Sequence, residues 1–329
     1  MPRHRVLRSC CLLIVATACS ALAGDFADQS RHGQSSAAVD QPPAEAIAQS
    51  STPPRVEEPR PLLPDSPLFG LAIGMHDARF HSPQAKAVLM DELGYAGMAH
   101  LGLDDVPETV AALEGLGLKL FAVYTAINLD PDQPPYDPRM DELFRQLEGR
   151  ETIVWLHTQG RHYKTSSPKG DARAVKIIRH LADRAARYDL RLSLYPHAGL
   201  WMERVDDALR VARKVSRKNV GVTFNLCHWL KVERDTPYEL LLQRAMPRLS
   251  VVTINGADRE GRSWKELIQT LDQGDFDLAG FLHVLDRLDY QGPVGLQCYG
   301  IHGDERANLA RSMAAWRELT GRLPPERDR

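Results

Sequence analysis

Histidines and side-chain amides recur in this sequence at the ends of short apolar segments. His197, Asn225, His228 and Asn255 each end such a segment or closely follow one. An imidazole titrates near neutral pH and is the common general base of enzymes, while amide groups both donate and accept hydrogen bonds. These residue types predict proton transfer on a neutral, hydroxylated ligand. The residues predicted to carry that chemistry are His197, His228, Asn225, Asn255 and Gln297.

A second set of polar and aromatic residues occupies similar positions and predicts ligand binding. The two sets together hold five of the twelve histidines of the chain. One histidine in such a place is commonly a satisfied structural residue, but five of them favour a functional cluster. Tyrosine and tryptophan near hydroxyl-binding groups suit a sugar, although core packing is the alternative for each aromatic residue and is favoured for Trp155. The predicted binding residues are His76, His100, Tyr124, His157, Tyr195, Trp229 and Asp258.

The elements that must position these residues alternate between short apolar segments and amphipathic stretches. The stretches 171–188, 203–216, 236–246 and 304–319 have apolar residues at three- and four-residue spacing, which is typical of helices. Alternation of this kind predicts an α/β fold, and eight repeats predict a single (β/α)8 TIM barrel over residues 67–322. A doubly wound sheet is the alternative, but no glycine-rich turn follows the first strand. The predicted strands are 68–74, 95–102, 119–128, 152–158, 191–197, 220–227, 249–255 and 293–299.

The predicted catalytic and binding residues follow from this fold, because TIM barrels place their active sites at the carboxyl ends of the strands. Three motifs at such ends resemble those of a known superfamily: Asn225-Leu226-Cys227-His228, Asn255-Gly256-Ala257-Asp258, and the segment 292–297 (GPVGLQ). The chain is similar there to the xylose isomerase-like TIM barrels, which include sugar isomerases and epimerases and family 2 AP endonucleases. The resemblance covers roughly residues 68–320. It implies the barrel firmly and the reaction only loosely, because one fold hosts many activities.

The resemblance also implies a divalent metal, held in the superfamily by Glu on strand 5, Asp on strand 6, His on strand 7 and Glu on strand 8. This sequence has Tyr195-Pro196-His197, Asn225, Asn255 and Gln297 at those places. A hard cation such as Mg²⁺ or Mn²⁺ needs anionic oxygens, so the usual metal site is not expected. Zn²⁺ or Ni²⁺ accepts imidazole ligands, and His197 and His228 are the candidates for either ion, with His157 or His100 as the alternatives for a further ligand. The alternative is catalysis without a metal.

The first 24 residues have the pattern of a cleaved secretory signal, with basic residues, an apolar run at 10–18 and the Ala21-Leu22-Ala23 site. Cys19 is an alternative processing site at which a lipid would anchor the chain to a membrane. Residues 25–66, rich in Ser, Ala, Gln and Pro, are interpreted as a disordered linker. The chain is therefore predicted to be exported, periplasmic or secreted. Its formal net charge of −2 and the lack of a basic aromatic run speak against a nucleic-acid partner.

Two functions remain open from the sequence. The first is an exported sugar isomerase, epimerase or lyase that acts on a small carbohydrate through the histidines and amides. The second is a catalytically silent barrel that binds a carbohydrate or a partner protein after losing the metal-binding carboxylates. Nothing in the sequence indicates an oligomeric state.

Overall fold

The computed structural model describes residues 60–322. The predicted signal segment 1–24, the alternative lipid site at Cys19 and residues 25–59 of the predicted linker lie outside the described residues. Residues 60–322 form the predicted single-domain (β/α)8 barrel.

Eight parallel strands pair in sequence order, and the first pairs with the last to close the barrel. Each strand is a short segment of mainly buried residues, as expected for a parallel sheet covered by helices. The strands are β1 (Leu68–Leu71), β2 (Gly97–Leu101), β3 (Lys119–Asn128), β4 (Ile153–Gln159), β5 (Arg191–Leu194), β6 (Val220–Asn225), β7 (Leu249–Ile254) and β8 (Val294–Gln297).

Eight longer helices surround the barrel, and two short helices follow β6 and β7. Among residues 60–322, no helix is long and apolar enough to cross a membrane. The helices are α1 (Pro83–Leu93), α2 (Val106–Glu114), α3 (Met140–Leu147), α4 (Asp171–Ala185), α5 (Val205–Val215), α6 (Leu226–Val232), α7 (Tyr238–Ala245), α8 (Trp264–Leu267), α9 (Leu278–Arg287) and α10 (Glu305–Thr320).

Alternation along the strands divides the core into an inner and an outer layer. The inner layer fills the barrel with large side chains, in which Phe69 stacks on Phe121 with ring centroids 4.8 Å apart and Trp155 is fully buried. The outer layer lies between strands and helices and is mostly Leu, Val, Ile and Ala. Because Trp155 fills the barrel interior, the core-packing interpretation of this residue is confirmed.

Several strands end earlier than the sequence predicted. The predicted segment 220–227 becomes a strand only to Asn225, where α6 begins, so Cys227 and His228 lie on a helix. The physical reason is a cap: the Asn225 side chain accepts a hydrogen bond from the backbone amide of His228, which stabilises a helix start. An apolar run alone does not reveal such a change from strand to helix.

The predicted linker also ends earlier than expected, because residues 60–66 pack on the barrel. Leu63 is only 2% exposed, and its amide donates to the Asp286 carboxylate on α9. The Leu62 amide donates to the Thr320 carbonyl at the end of α10. Burial of Leu63 against the barrel offsets the entropy lost when this segment becomes ordered. The proline-rich composition of the segment had indicated disorder instead.

Candidate active site

Two histidines meet at the mouth of the barrel, the end at which the strands finish. His197 follows β5 in a loop, and His228 lies on the first turn of α6. Their ring centroids are 4.1 Å apart, so the two imidazoles are in contact. The structure therefore joins the two residues that the sequence singled out as candidate bases.

Ala198, the residue after His197, bonds both imidazoles and so determines which nitrogen of each ring carries the proton. His197 Nδ1 lies 3.0 Å from the carbonyl oxygen of Ala198, so this nitrogen is the donor. The amide of Ala198 donates to His228 Nδ1 at 3.4 Å, so that nitrogen accepts. In the neutral rings, His197 then has a lone pair at Nε2 and His228 has its proton at Nε2. One ring is a proton acceptor and the other is a donor.

Burial keeps these rings neutral. It lowers the pKa of His197, and it lowers the pKa of His228 far below the ordinary value, with His197 adding to the effect. His157, on β4, is affected in the same way, and burial lowers its pKa to about 3. A charged imidazole loses hydration when it is buried, so the neutral form is favoured. A neutral His197 is available as a base at and below neutral pH.

Next to the histidine pair, two amide side chains converge on the hydroxyl oxygen of Tyr195. Tyr195 follows β5 directly, and its hydroxyl accepts hydrogen bonds from Asn225 Nδ2 and, at 3.5 Å, from Gln297 Nε2. All three side chains are buried. We call this set the Tyr195 network.

The two asparagines of the predicted catalytic group hold the backbone at the mouth. Asn225 Oδ1 accepts from the Cys227 thiol at 2.9 Å and from the His228 amide at 3.4 Å. Asn255 Nδ2 donates to the carbonyls of Gly256 and Leu267, at 2.8 and 2.7 Å. Both amides thus hold backbone groups, and Asn255 Oδ1 is a buried acceptor without a hydrogen-bond partner within residues 60–322.

Of the predicted binding residues, Tyr124 and His157 lie with the Tyr195 network. The rings of Tyr124 and His157 stack at 4.3 Å, and Tyr124 meets the Tyr195 ring edge-on at 4.9 Å. His76 is an exposed residue of the loop after β1, where its ring contacts His302 at 4.4 Å. Asp258 lies in the loop after β7, and its backbone amide bonds the carbonyl of Glu266.

Two of the predicted binding residues, His100 and Trp229, lie away from the Tyr195 network. His100 faces the outer layer, where its Nε2 bonds the Asp104 carbonyl and its Nδ1 bonds Thr109 on α2. The reason is alternation, since the preceding Ala99 takes the inward direction. Trp229 lies on the face of α6 that packs toward α7, and its indole donates to the Thr236 carbonyl. The helical turn at residues 226–232 directs Trp229 away from His228.

Two residues near the histidine pair were missed by the sequence analysis. Trp264 opens α8, is 38% exposed and meets the His228 ring edge-on at 5.4 Å. The Ser263–Glu266 capping box in the loop after β7 is the signal that predicts this short helix. Glu203 accepts from the Gly199 amide and so supports the loop that carries His197. Its position after a barrel strand was the available signal.

The residues at the mouth do not fit a divalent cation. The amide nitrogens of Asn225 and Gln297 point N–H groups at the Tyr195 hydroxyl, and a cation needs lone pairs instead. His197 and His228 supply two imidazoles, fewer than the three protein ligands of a typical catalytic zinc site. Within residues 60–322, no group of three or more His, Cys, Asp or Glu side chains could hold an ion.

A closed barrel with its polar residues at the strand ends defines the TIM-barrel class. The family model for the xylose isomerase-like TIM barrel matches residues 89–319, and the chain belongs to that family. The resemblance stated from the motifs is therefore confirmed.

Several solved structures share this fold, and two of those described next are sugar epimerases. D-psicose 3-epimerase from Clostridium cellulolyticum H10, solved with D-tagatose, is 14% identical with a TM-score of 0.61, over 78% of this chain and 100% of that one. D-allulose 3-epimerase from Methylomonas sp. is 18% identical with a TM-score of 0.62, over 79% and 99%. The IolI protein, solved with a zinc atom, is 14% identical with a TM-score of 0.61, over 78% and 98%. A search of curated proteins found no match.

Proposed function

We propose that this chain is an exported enzyme that isomerises or epimerises a small, uncharged carbohydrate without a metal. The contact between His197 and His228, with a lone pair on one Nε2 and a proton on the other, is the observation that carries the proposal. The similarity of its fold to a D-psicose 3-epimerase solved with D-tagatose and to a D-allulose 3-epimerase supports the substrate class. Export rests on the pattern of the first 24 residues.

The proposed step is proton abstraction next to the sugar carbonyl. His197 Nε2 takes the proton from the carbon, and the electron pair of the broken C–H bond moves toward the carbonyl oxygen. His228 donates its Nε2 proton as a hydrogen bond to the developing enediolate oxygen, which stabilises negative charge in a buried site. In isomerisation, His197 returns the proton to the former carbonyl carbon, while the hydroxyl proton of the first carbon passes through His228 Nε2 to the former carbonyl oxygen. In epimerisation, His228 Nε2 delivers its proton to the opposite face of the same carbon, and the proton held by His197 passes to His228 through the contact between the two rings.

The direct test is hydrogen exchange in D₂O. Purified protein is incubated with a panel of aldoses and ketoses, and NMR records deuterium at the carbon next to the carbonyl. We expect incorporation with at least one sugar and a loss of roughly 100-fold or more in His197→Ala and in His228→Ala. His283→Ala is the matched control, because His283 is exposed on α9 and bonds only its own helix in the structure described. Exchange that persists in both active-site variants contradicts the mechanism.

A silent carbohydrate-binding barrel is the second candidate. It is favoured by the use of Asn225 and Asn255 to hold backbone loops, since amides committed to structure are less free to orient a reacting sugar. Thermal stabilisation by a sugar that shows no deuterium incorporation supports this candidate over the enzyme.

A further inference from the structure

The Tyr195 network ties together three parts of the barrel mouth. Asn225 ends β6 and Gln297 ends β8, while Tyr195 follows β5. Each amide uses its nitrogen for the Tyr195 hydroxyl and its oxygen for a backbone amide. Asn225 Oδ1 caps α6 at His228, and Gln297 Oε1 accepts from the Tyr299 amide at 3.0 Å. The hydroxyl is thus the common point of two loops.

The direction of both amides is fixed by these second bonds. The Cys227 thiol and the His228 amide both donate to the oxygen of the Asn225 side chain, so its nitrogen must face Tyr195. The Tyr299 amide orients Gln297 by the same argument. Burial raises the pKa of Tyr195 well above the ordinary value, so the phenol stays protonated and the network carries no charge.

We propose that the Tyr195 hydroxyl replaces, without charge, the divalent cation at which strand-end side chains converge in a metal-dependent barrel. It is a positioning residue: it holds Asn225, which caps the helix that presents His228 to His197. The kinetic consequence rests on the proposed function, whereas the structural and ion-binding consequences do not.

The first test compares Tyr195→Phe with Tyr95→Phe. Tyr95 is a matched control, because its phenol is also buried and donates to the Leu309 carbonyl, on α10. Loss of one buried hydroxyl is expected to lower Tm by roughly 2–8 °C in either variant. Only Tyr195→Phe is expected to alter the NMR signals of the His228 and His197 rings. Unchanged ring signals in Tyr195→Phe, or equal changes in both variants, overturn the proposal.

Once a sugar substrate is known, kinetic measurements distinguish a positioning role of Tyr195 from a role in substrate binding. Tyr195→Phe is expected to lower kcat by roughly 10-fold or more and to leave KM within about 3-fold, because a phenol that acts through the Asn225 cap affects the position of His228 and not the binding of the sugar. If no sugar reacts, the proposed function fails, but the ring signals and the ion-binding data still decide the role of Tyr195.

The second test measures ion binding by calorimetry with MnCl₂, ZnCl₂ and NiCl₂. The natural protein is expected to bind none of them stoichiometrically. The charge-restoring variant Tyr195→Glu/Asn225→Asp/Gln297→Glu is expected to bind Mn²⁺, and Asn225→Asp/Gln297→Glu replaces it if circular dichroism shows the triple variant unfolded. One equivalent of ion bound by the natural protein and lost in Gln297→Ala overturns the proposal. A folded charge-restoring variant without gained affinity also overturns it.

Discussion

Three histidines at the mouth of the barrel, His157, His197 and His228, are kept neutral by burial. Burial lowers the pKa of His157 to about 3, and it also lowers the pKa of His197 and of His228. In the unfolded chain a histidine titrates near 6.5, so between that pH and the folded value the unfolded state binds more protons. These residues therefore contribute stability that is present above about pH 6.5 and is lost as the pH falls toward their folded pKa.

The prediction is a flatter pH dependence for His157→Gln. Its free energy of unfolding is expected to fall less between pH 7 and pH 5 than that of the natural protein, as measured by urea denaturation. Buried Glu233 acts in the opposite sense, since burial raises its pKa to about 7, so only the difference between the two proteins is diagnostic. His283→Gln is the control and should follow the natural protein. Parallel curves for His157→Gln and the natural protein would contradict the assignment.

Helix α6 is the element on which the site depends most directly. Its cap, Asn225, bonds the amide of His228 and the hydroxyl of Tyr195, so one side chain joins a strand end to a helix start. The α6 segment begins directly at the end of β6, with no intervening loop. A change at this cap therefore affects the position of His228 as well as the helix.

We expect Asn225→Ala to lower the free energy of unfolding by about 1–3 kcal/mol, because a cap and a buried hydrogen bond are both lost. Ser82→Ala removes the cap of α1, where the Ser82 hydroxyl accepts from the Ala85 amide, and should cost about 1 kcal/mol. Chemical denaturation measures both. The hydrogen-exchange activity proposed above should fall only in Asn225→Ala, and an equal fall in both variants would show that general stability is the cause.

The sequence predicted which segments form strands better than where they end. Apolar periodicity identified all eight strands, since buried parallel strands are short apolar runs. It could not identify the Asn225 cap, the outward direction of His100 or the outer-layer position of Trp229, because those depend on side-chain bonds and on register. The sequence predicted that His197 and His228 lie at the same end of the barrel, but it could not predict that their rings are in contact. The fold class and the order of the strands were therefore predictable, whereas the ends of the elements and the site were predictable only in part.

At the scale of the whole molecule, the segment 60–66 packs on the outside of the barrel, where it contacts α9 and α10. Leu63 is buried against the outer layer, and Arg60 pairs with Asp286 on α9 at 2.6 Å. The Arg60 side chain is largely exposed, so the ion pair adds little, and the buried leucine carries most of the stabilisation.

Leu63→Ala is expected to lower the free energy of unfolding by about 2–4 kcal/mol, through lost burial and the cavity that remains. Leu240→Ala is the matched control, because Leu240 is 53% exposed on α7 and its truncation should change stability by less than about 0.5 kcal/mol. Urea titration with a constant m-value distinguishes the two. If Leu63→Ala behaves like the control, the segment does not belong to the folded barrel.

The buried thiol of Cys227 can report in solution on opening of the barrel mouth. Cys227 and Cys298 are free and buried, and Cys227 donates its S–H to the same Asn225 oxygen that caps α6. Burial raises the pKa of both thiols far above the ordinary value, so neither forms the reactive thiolate while the barrel is closed. Alkylation of Cys227 therefore requires that α6 first leave its strand. The rate at which Cys227 is alkylated therefore measures how often α6, which carries the proposed catalytic His228, separates from the barrel.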